Sequence, residues 1–355
     1  MLQKFLKRYF LPIAIIVGLL IGYQLYNWIF TKGVNLPNGE KEYEFIISSG
    51  WDYTKVGQKL LEAGILEDPK AFDFVAKKMS YPDHIKAGRY AIEDGMSNRE
   101  LVQMLRAGKQ SPVKFTFTKA RTKGELVEKM KGKFEFPEEQ MLALLNDENY
   151  LKEYGLTPET ALAFFIPNTY EIYWNSTPKK FFERMKSEYN RYWNTNRNAK
   201  REKLKLTRLE VVTIASIVEE ETTNNNEKSR IAGVYLNRVR DKWKLEADPT
   251  VKYALGNFAL TRVLQSDIAA AAASPYNTYT QEGIPPGPIC TPSTTTIDAV
   301  LNAENHEYMF FCANPDMTQS HAFAKTLSEH NQNAAAYHRA LTEWQKTHPK
   351  EEPKK

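Results

Sequence analysis

Residues 206–222 read LTRLEVVTIASIVEEET, and the rest of the chain is best read outward from them. Val211, Ile214, Ala215 and Val218 recur at i, i+3, i+4 and i+7, so the stretch predicts a helix with a buried apolar stripe. The stripe ends in Glu219, Glu220 and Glu221. Negative charge is disfavoured at a helix C-terminus, where the peptide dipoles leave a partial negative charge. A solvated helix end is the default for three such residues, and a functional carboxylate is the other explanation. Glu219 falls on the side of Val212 and Ala215, at the edge of the apolar face. Held there beside like charges, its pKa is expected to rise, which suits a general acid at neutral pH. Spacing alone does not choose between Glu219 and Glu221.

Downstream, Asn224–Asn226 offer caps for a further helix that carries Ile231, Val234, Tyr235 and Arg238 on one side. LEADPTV (245–251) is a turn presenting Asp248 and Thr250. SPYNTYTQEGIPPGPICTPS (274–293) is dense in Pro, Gly, Asn and Tyr. Prolines restrict such a segment and tyrosines need packing, so it predicts an ordered loop. Tyr276, Asn277 and Tyr279 are of the types that stack on sugars and hydrogen-bond acetamido groups; a packed connecting loop is the plainer reading.

Upstream, Tyr9–Phe30 reads YFLPIAIIVGLLIGYQLYNWIF. About 20 apolar residues at about 1.5 Å each give about 30 Å, the thickness of a bilayer core. Pro12 falls in the first turn, where a missing N–H matters little, and Tyr26 and Trp28 sit where an interfacial aromatic belt would lie. No small-residue cleavage site follows promptly, so an uncleaved anchor is expected. Lys4, Lys7 and Arg8 precede the span, whereas Lys32 and Lys41 are diluted among Glu40, Glu42 and Glu44. The positive-inside rule therefore expects residues 1–8 in the cytoplasm and everything after Phe30 outside it.

Residues 31–42 read as a linker. Residues 43–112 follow as strand, two helices, strand and helix: YEFIIS (43–48), helical periodicity through Val56, Leu60 and Leu61 and through Phe72, Val75 and Met79, then RYAI (89–92). Ser97 with Glu100 is a capping box, and Gly108 stops the helix that it opens. VKFTFT (113–118) alternates like a strand, and mostly helical pattern runs on to about residue 345. Residues 346–355 read as a disordered tail. The class is α+β.

Composition excludes other classes. The chain holds 48 Lys and Arg against 43 Asp and Glu, a net charge of +5, much of it at the ends. No basic stripe interleaved with aromatics marks a nucleic-acid binder. Cys290 and Cys312 are too few for a disulfide framework and too isolated for a zinc site, and two small buried thiols are expected. A Cys–His hydrolase built on either cysteine with His321 lacks a setting that would lower the thiol pKa. His321 and His330 have no metal-ligand companions, so no metal or cofactor is expected.

Taken together, ASIVEEET (215–222), ADPTVKYALG (247–256), SPYNTYTQEGIPPGPICTPS (274–293) and SHAFAKTLSEHN (320–331) match, in order, the pattern of the MltG (YceG-like) family of endolytic murein transglycosylases. The resemblance runs from the anchor through AGRYAIEDGMSNRELVQMLRAG (87–108) to about residue 345. It implies a single transmembrane helix, a LysM-like unit over 43–112 and a catalytic domain over 113–345. The family's catalytic glutamate, the first after ASIV, carries onto Glu219. Glu221, Asp248, Thr250, Tyr276, Asn277 and Tyr279 would then contact substrate. The chain departs from the family at LAFFIPNTY (162–170), where many members carry Glu-Gly and Asp and this sequence has Leu162, Ala163 and Asn168.

The implied reaction cleaves the β-1,4 bond between N-acetylmuramic acid and N-acetylglucosamine without water and leaves 1,6-anhydro ends, with no cofactor. It would trim or terminate new strands beside the cytoplasmic membrane, in company with peptidoglycan synthases and division or elongation proteins. The rival readings are a water-using muramidase, with Asp248 or Glu221 as second carboxylate, and a non-catalytic glycan-binding scaffold.

Overall fold

The computed structural model describes residues 2–316, 318 and 320–347, so residues 348–355 of the expected tail lie outside it. The chain mixes helices with small two-stranded sheets, as expected. It divides into two compact units, and the chain passes between them several times, once inside strand β3 (Val113–Phe117) and once inside strand β4 (Asn168–Ile172). The units are described separately.

The first unit begins with α1 (Leu2–Phe30), whose segment Tyr9–Phe30 is long and apolar enough to cross a membrane. Then come β1 (Glu42–Ile47), α2 (Tyr53–Glu62), α3 (Pro69–Lys78), β2 (Gly88–Glu93) and α4 (Asn98–Ala107). β1 and β2 pair antiparallel, from Glu42 opposite Glu93 to Ile47 opposite Gly88. One face of the pair buries Phe45, Ile47, Tyr90 and Ile92 against Val56, Leu60, Phe72, Val75, Leu101 and Leu105 of the helices. Each helix starts where its sequence allows. Asp52 caps α2, Asp68 followed by Pro69 opens α3, and the Ser97–Glu100 capping box opens α4.

The segment read as a linker is not loose. Val34 and Leu36 are buried in this core, and the N–H groups of Gly33 and Val34 both donate to the Met96 carbonyl at 2.9 Å. Gly33 is needed there, because a Cβ would come within 2.6 Å of the Asn98 side chain. The apolar positions of a short Gly/Pro segment were better guides than its turn formers.

The second unit holds α5 (Lys123–Glu128), α6 (Glu138–Leu144), α7 (Glu148–Lys152), α8 (Pro178–Tyr192), α9 (Thr195–Lys203), α10 (Arg208–Glu221), α11 (Lys228–Arg240), α12 (Asp248–Ala254), α13 (Gln265–Ala270) and α14 (Thr294–Leu301). The antiparallel pair β5 (Phe310–Ala313) and β6 (His321–Ala324) follows, and α15 (Leu327–Thr347) ends the described chain. Lys346 and Thr347, read as tail, close this last helix.

Helix α10 is the axis of the unit. Thr207 and Glu210 form a capping box at its start. Every residue from Val211 to Val218 is then buried, Thr213 and Ser216 included, so this segment is buried on all sides and not along a stripe. α9, α11, α12 and α14 pack around it. Burying Val211, Val212, Ile214, Ile217 and Val218 contributes about 2 kcal/mol each. A poorly placed end charge costs about 0.3–1 kcal/mol. Packing therefore wins, and the helix carries its three glutamates to the end of the core.

Candidate active site

Successive helix positions turn by about 100°, so the three glutamates at the end of α10 enter three different environments. Glu220 faces the β3–α5 connection, where Lys119 pairs with it at 2.8 Å and Arg121 grips both its oxygens at 2.9–3.1 Å. Burial alone would raise its pKa, but those two cations outweigh burial and hold it below the usual carboxylate range.

Glu219 opens on a cleft of about 320 Å³ whose walls include Thr116, Lys119, Asn168, Thr169, Thr291 and Ser293. Its Oε2 accepts from Lys228 Nζ at 3.1 Å, from Ser293 Oγ at 2.9 Å and from the Thr296 hydroxyl. Its Oε1 has no hydrogen-bond partner among the described residues. Ser293 and Thr296 belong to the first turn of α14, the end whose partial positive charge favours an anion. Lys228 is buried and also donates to Thr296 Oγ1 at 2.7 Å. Burial pushes the Glu219 carboxyl up, yet the Thr296 hydroxyl, the Lys228 ammonium and the Ser293 hydroxyl together hold it below its ordinary value. The expected raised pKa is thus corrected. The apolar edge is real, but a buried cation reaches it from the next helix.

The loop 274–293 sets this geometry. Ser216 Oγ on α10 accepts from the Ile289 N–H at 2.9 Å. Thr291 exchanges two hydrogen bonds with the backbone of Ala120, at 2.8 and 2.9 Å. Gly287 lies against the Glu159 carbonyl, which a Cβ would approach to 2.7 Å. These contacts deliver Ser293 to Glu219. The loop is ordered, as expected, although it forms neither helix nor strand.

Glu221 points into a second, polar cavity of about 430 Å³, walled also by Tyr235, Arg238, Asp248, Tyr279, Phe311 and His321. Tyr235 donates to Glu221 Oε1 at 2.6 Å, and Tyr279 donates to Asp248 Oδ1 at 2.7 Å. Arg238 is committed elsewhere, to the Leu245 and Met309 carbonyls at 2.7 and 2.8 Å. Burial, with the Asp248 charge adding to it, pushes Glu221 up to about 7 despite the Tyr235 hydrogen bond. His321 Nδ1 lies 3.1 Å from a carboxylate oxygen of the buried Glu227, and its N–H donates to the other at 2.9 Å.

The remaining sequence candidates fall elsewhere. Thr250 and Asn277 are fully buried. Thr250 bonds to the Ala247 carbonyl and Thr278, and Asn277 bonds to the Ile268 carbonyl and the Tyr279 N–H. In this structure both shape the loop and do not face a cleft. Tyr276 is 7% exposed and packs on Tyr253 at 4.7 Å between ring centroids. Of the departure positions, Leu162 and Ala163 are buried, while Asn168 lines the Glu219 cleft.

The turn at 245–251 runs directly into α12, and the caps expected of Asn224–Asn226 are not used, since Glu227 precedes α11 without a side-chain cap. Lys228, Ser293 and Thr296 escaped sequence reasoning, because no local pattern marks a residue as the partner of a carboxylate on a distant helix. Ser293 also caps α14 through the Thr296 N–H. Cys290 is buried, Cys312 is half-buried, and both are free thiols raised by burial.

Comparison with known proteins adds the family. The endolytic murein transglycosylase of Streptococcus pneumoniae is 27% identical over 354 residues, covering 89% of this chain and 62% of that protein. The chain therefore spans about six tenths of the length of that relative. The endolytic murein transglycosylase of Bacillus subtilis is 27% identical over 307 residues, covering 82% of this chain and 83% of that protein. A crystal structure of a YceG-like protein from Listeria monocytogenes matches with a TM-score of 0.54 at 25% identity, covering 82% of this chain and 98% of that one. Residues 45–336 match the YceG-like family as a whole. With its motifs gathered about the end of α10 and the match covering most of its length, the chain belongs to the YceG-like family.

Proposed function

We propose that the chain is a membrane-anchored lytic transglycosylase that cleaves the β-1,4 bond between N-acetylmuramic acid and N-acetylglucosamine in peptidoglycan strands. One observation carries the choice of a reaction without water. Among the described residues that wall the Glu219 cleft, Glu219 is the only carboxylate. Glycoside hydrolysis ordinarily needs two, roughly 5–10 Å apart. Glu220 is held by Lys119 and Arg121, and Glu221 and Asp248 wall the other cavity.

A single acid/base suffices when the nucleophile is the substrate's own hydroxyl. Glu219 protonates the leaving glycosidic oxygen, and its carboxylate then takes the proton from the C6 hydroxyl of the muramic acid. That oxygen bonds to C1 and closes the 1,6-anhydro ring, with no water entering. Three donors fix Oε2, leaving Oε1 to exchange the proton. In the free chain Glu219 is an anion near neutral pH. A bound glycan displaces water from the cleft, and the added desolvation favours the protonated form that the first step uses.

The anchor reading extends to orientation: residues 1–8 in the cytoplasm, α1 across the inner membrane, and both units outside. Residues 43–112 serve as a LysM-like glycan-holding unit. The cuts terminate growing strands, in company with synthases and division or elongation proteins. Mass spectrometry of digested glycan strands tests the chemistry. Products ending in 1,6-anhydro-muramic acid are expected; products heavier by one water, with reducing ends, would sink the reading.

One observation favours a second reading. Glu221, pushed up to about 7 by burial, sits with Asp248 in a polar cavity. That pairing resembles the acid and partner carboxylate of a hydrolase. It predicts reducing ends and dependence on Glu221 in place of Glu219.

A further inference from the structure

The last turn of α1 is joined firmly to the first unit. Trp28 packs on Phe74 with ring centroids 5.5 Å apart, and the Asn98 side-chain amide donates to the Trp28 carbonyl at 3.0 Å. A crevice of about 460 Å³ opens at this junction, floored by Leu25, Ile29, Phe30, Phe74 and Met79. Its wall is almost wholly apolar, and Lys78 and Arg99 stand at its edge. Lys78 lies over the Phe74 ring at 5.8 Å, and Arg99 over the Phe30 ring at 5.3 Å. Neither cation makes an ion pair among the described residues. Directly up the helix, Leu19, Leu20, Ile21, Tyr23 and Tyr26 are all more than half exposed, so the crevice continues an apolar surface of membrane-spanning length.

An apolar crevice continuous with a membrane span, edged by two unpaired cations, matches an amphiphile with an acyl chain and an anionic head. We propose that this crevice binds an anionic phospholipid of the bilayer, with its acyl chain along Leu25 and Ile29 and its phosphate between Lys78 and Arg99. The inference rests on α1 lying in a bilayer, as proposed above. A zwitterionic lipid would fill the same apolar floor but place a cationic group beside the two side chains. Each basic residue near an anionic headgroup favours binding about fivefold, so the pair predicts a preference on the order of thirtyfold.

The test reconstitutes the full chain in nanodiscs holding equal amounts of phosphatidylglycerol and phosphatidylcholine. Lipid retained after extraction into detergent is then identified by native mass spectrometry. The wild-type chain should retain phosphatidylglycerol in preference by about that factor. The double variant Lys78→Ala/Arg99→Ala, both exposed positions, should lose the preference, and Met79→Trp should lose retention of both lipids at unchanged circular dichroism. Equal retention of the two lipids, an unchanged preference in the double variant, or displacement of phosphatidylglycerol by an added polyprenyl phosphate would each overturn the assignment. A chain that inserts but retains no lipid overturns this site alone. A chain that does not enter the discs overturns the anchor, and this site with it.

Discussion

Glu219 and Glu221 stand two residues apart on one helix and live in opposite conditions. Glu219 meets a buried ammonium, two hydroxyls and the positive end of α14, and is held anionic. Glu221 meets a tyrosine hydroxyl and a neighbouring carboxylate, and is pushed up to about 7. Side-chain chemistry and local sequence are the same for both. The difference comes entirely from what the fold brings to each face of α10, so a protonation state is a tertiary property here, as much as burial is.

The largest effect expected is on catalysis. Glu219→Gln should lower the rate of anhydro-product formation by about a thousandfold, the range of a lost general acid/base. Glu221→Gln should stay within about tenfold. Rates from mass spectrometry of digested strands decide the matter, and the reverse ranking would hand the chemistry to the other cavity.

Next comes the cation that separates the two environments. Lys228→Met leaves a partly buried carboxylate without its partner, which costs about 3 kcal/mol of stability in denaturant titration. It should also move the acidic limb of the pH–rate profile upward, because the charged form of Glu219 loses its main cation. A variant of unchanged pH profile would show that Lys228 only fills space.

The third expectation concerns stability against pH, where the two glutamates have opposite signs. The lowered pKa of Glu219 gives stability that is present above its ordinary value of 4.5 and lost as pH falls through the lower folded value. The raised pKa of Glu221 works the other way. Between pH 4.5 and about 7 the unfolded chain has released this proton and the folded chain still holds it, so stability falls as pH rises. At about 1.4 kcal/mol per unit, that fall is at most about 3 kcal/mol. Melting temperatures of Glu221→Gln should lose this decline while keeping the acidic one, and Glu219→Gln should do the opposite.

The smallest effect comes from Asn168→Asp, which puts a second carboxylate on the wall of the Glu219 cleft. Like-charge repulsion should raise the acidic limb of the pH–rate profile by less than about one unit, with turnover within severalfold. A large rise in reducing-end products would show that one added carboxylate can admit water as nucleophile.

Local features were legible in the sequence. The Ser97–Glu100 capping box, the strands near 43–48, 89–92 and 113–118, and the helix ending at the glutamates all follow from patterns a few residues long. Glu219 itself needed the family resemblance, because periodicity left it level with Glu221. The direction of its pKa was not legible at all. Its partners lie 9, 74 and 77 residues away, and none of them carries a mark of that role. The surroundings of Thr250 and Asn277 were hidden for a related reason. A polar residue at the start of a helix or in a Pro/Gly-rich loop suits a ligand, but it suits the nearby backbone equally well, and both side chains are buried against such groups.

The capped start and buried body of α10 also fix a phase. Thr207 and Glu210 set where the helix begins, and fourteen residues later it delivers one glutamate to each of three neighbours. Inserting a single residue between Val211 and Val218 would rotate every one of them by about 100°. Glu219's place would pass to Val218, leaving Lys228, Ser293 and Thr296 without a carboxylate, and Glu219 would turn to Lys119 and Arg121 instead. The apolar positions between cap and end can drift among residues of similar volume, whereas the length of the segment cannot, nor can Ser216, which holds the Ile289 N–H. In this helix the count of residues carries the information that the side chains then express.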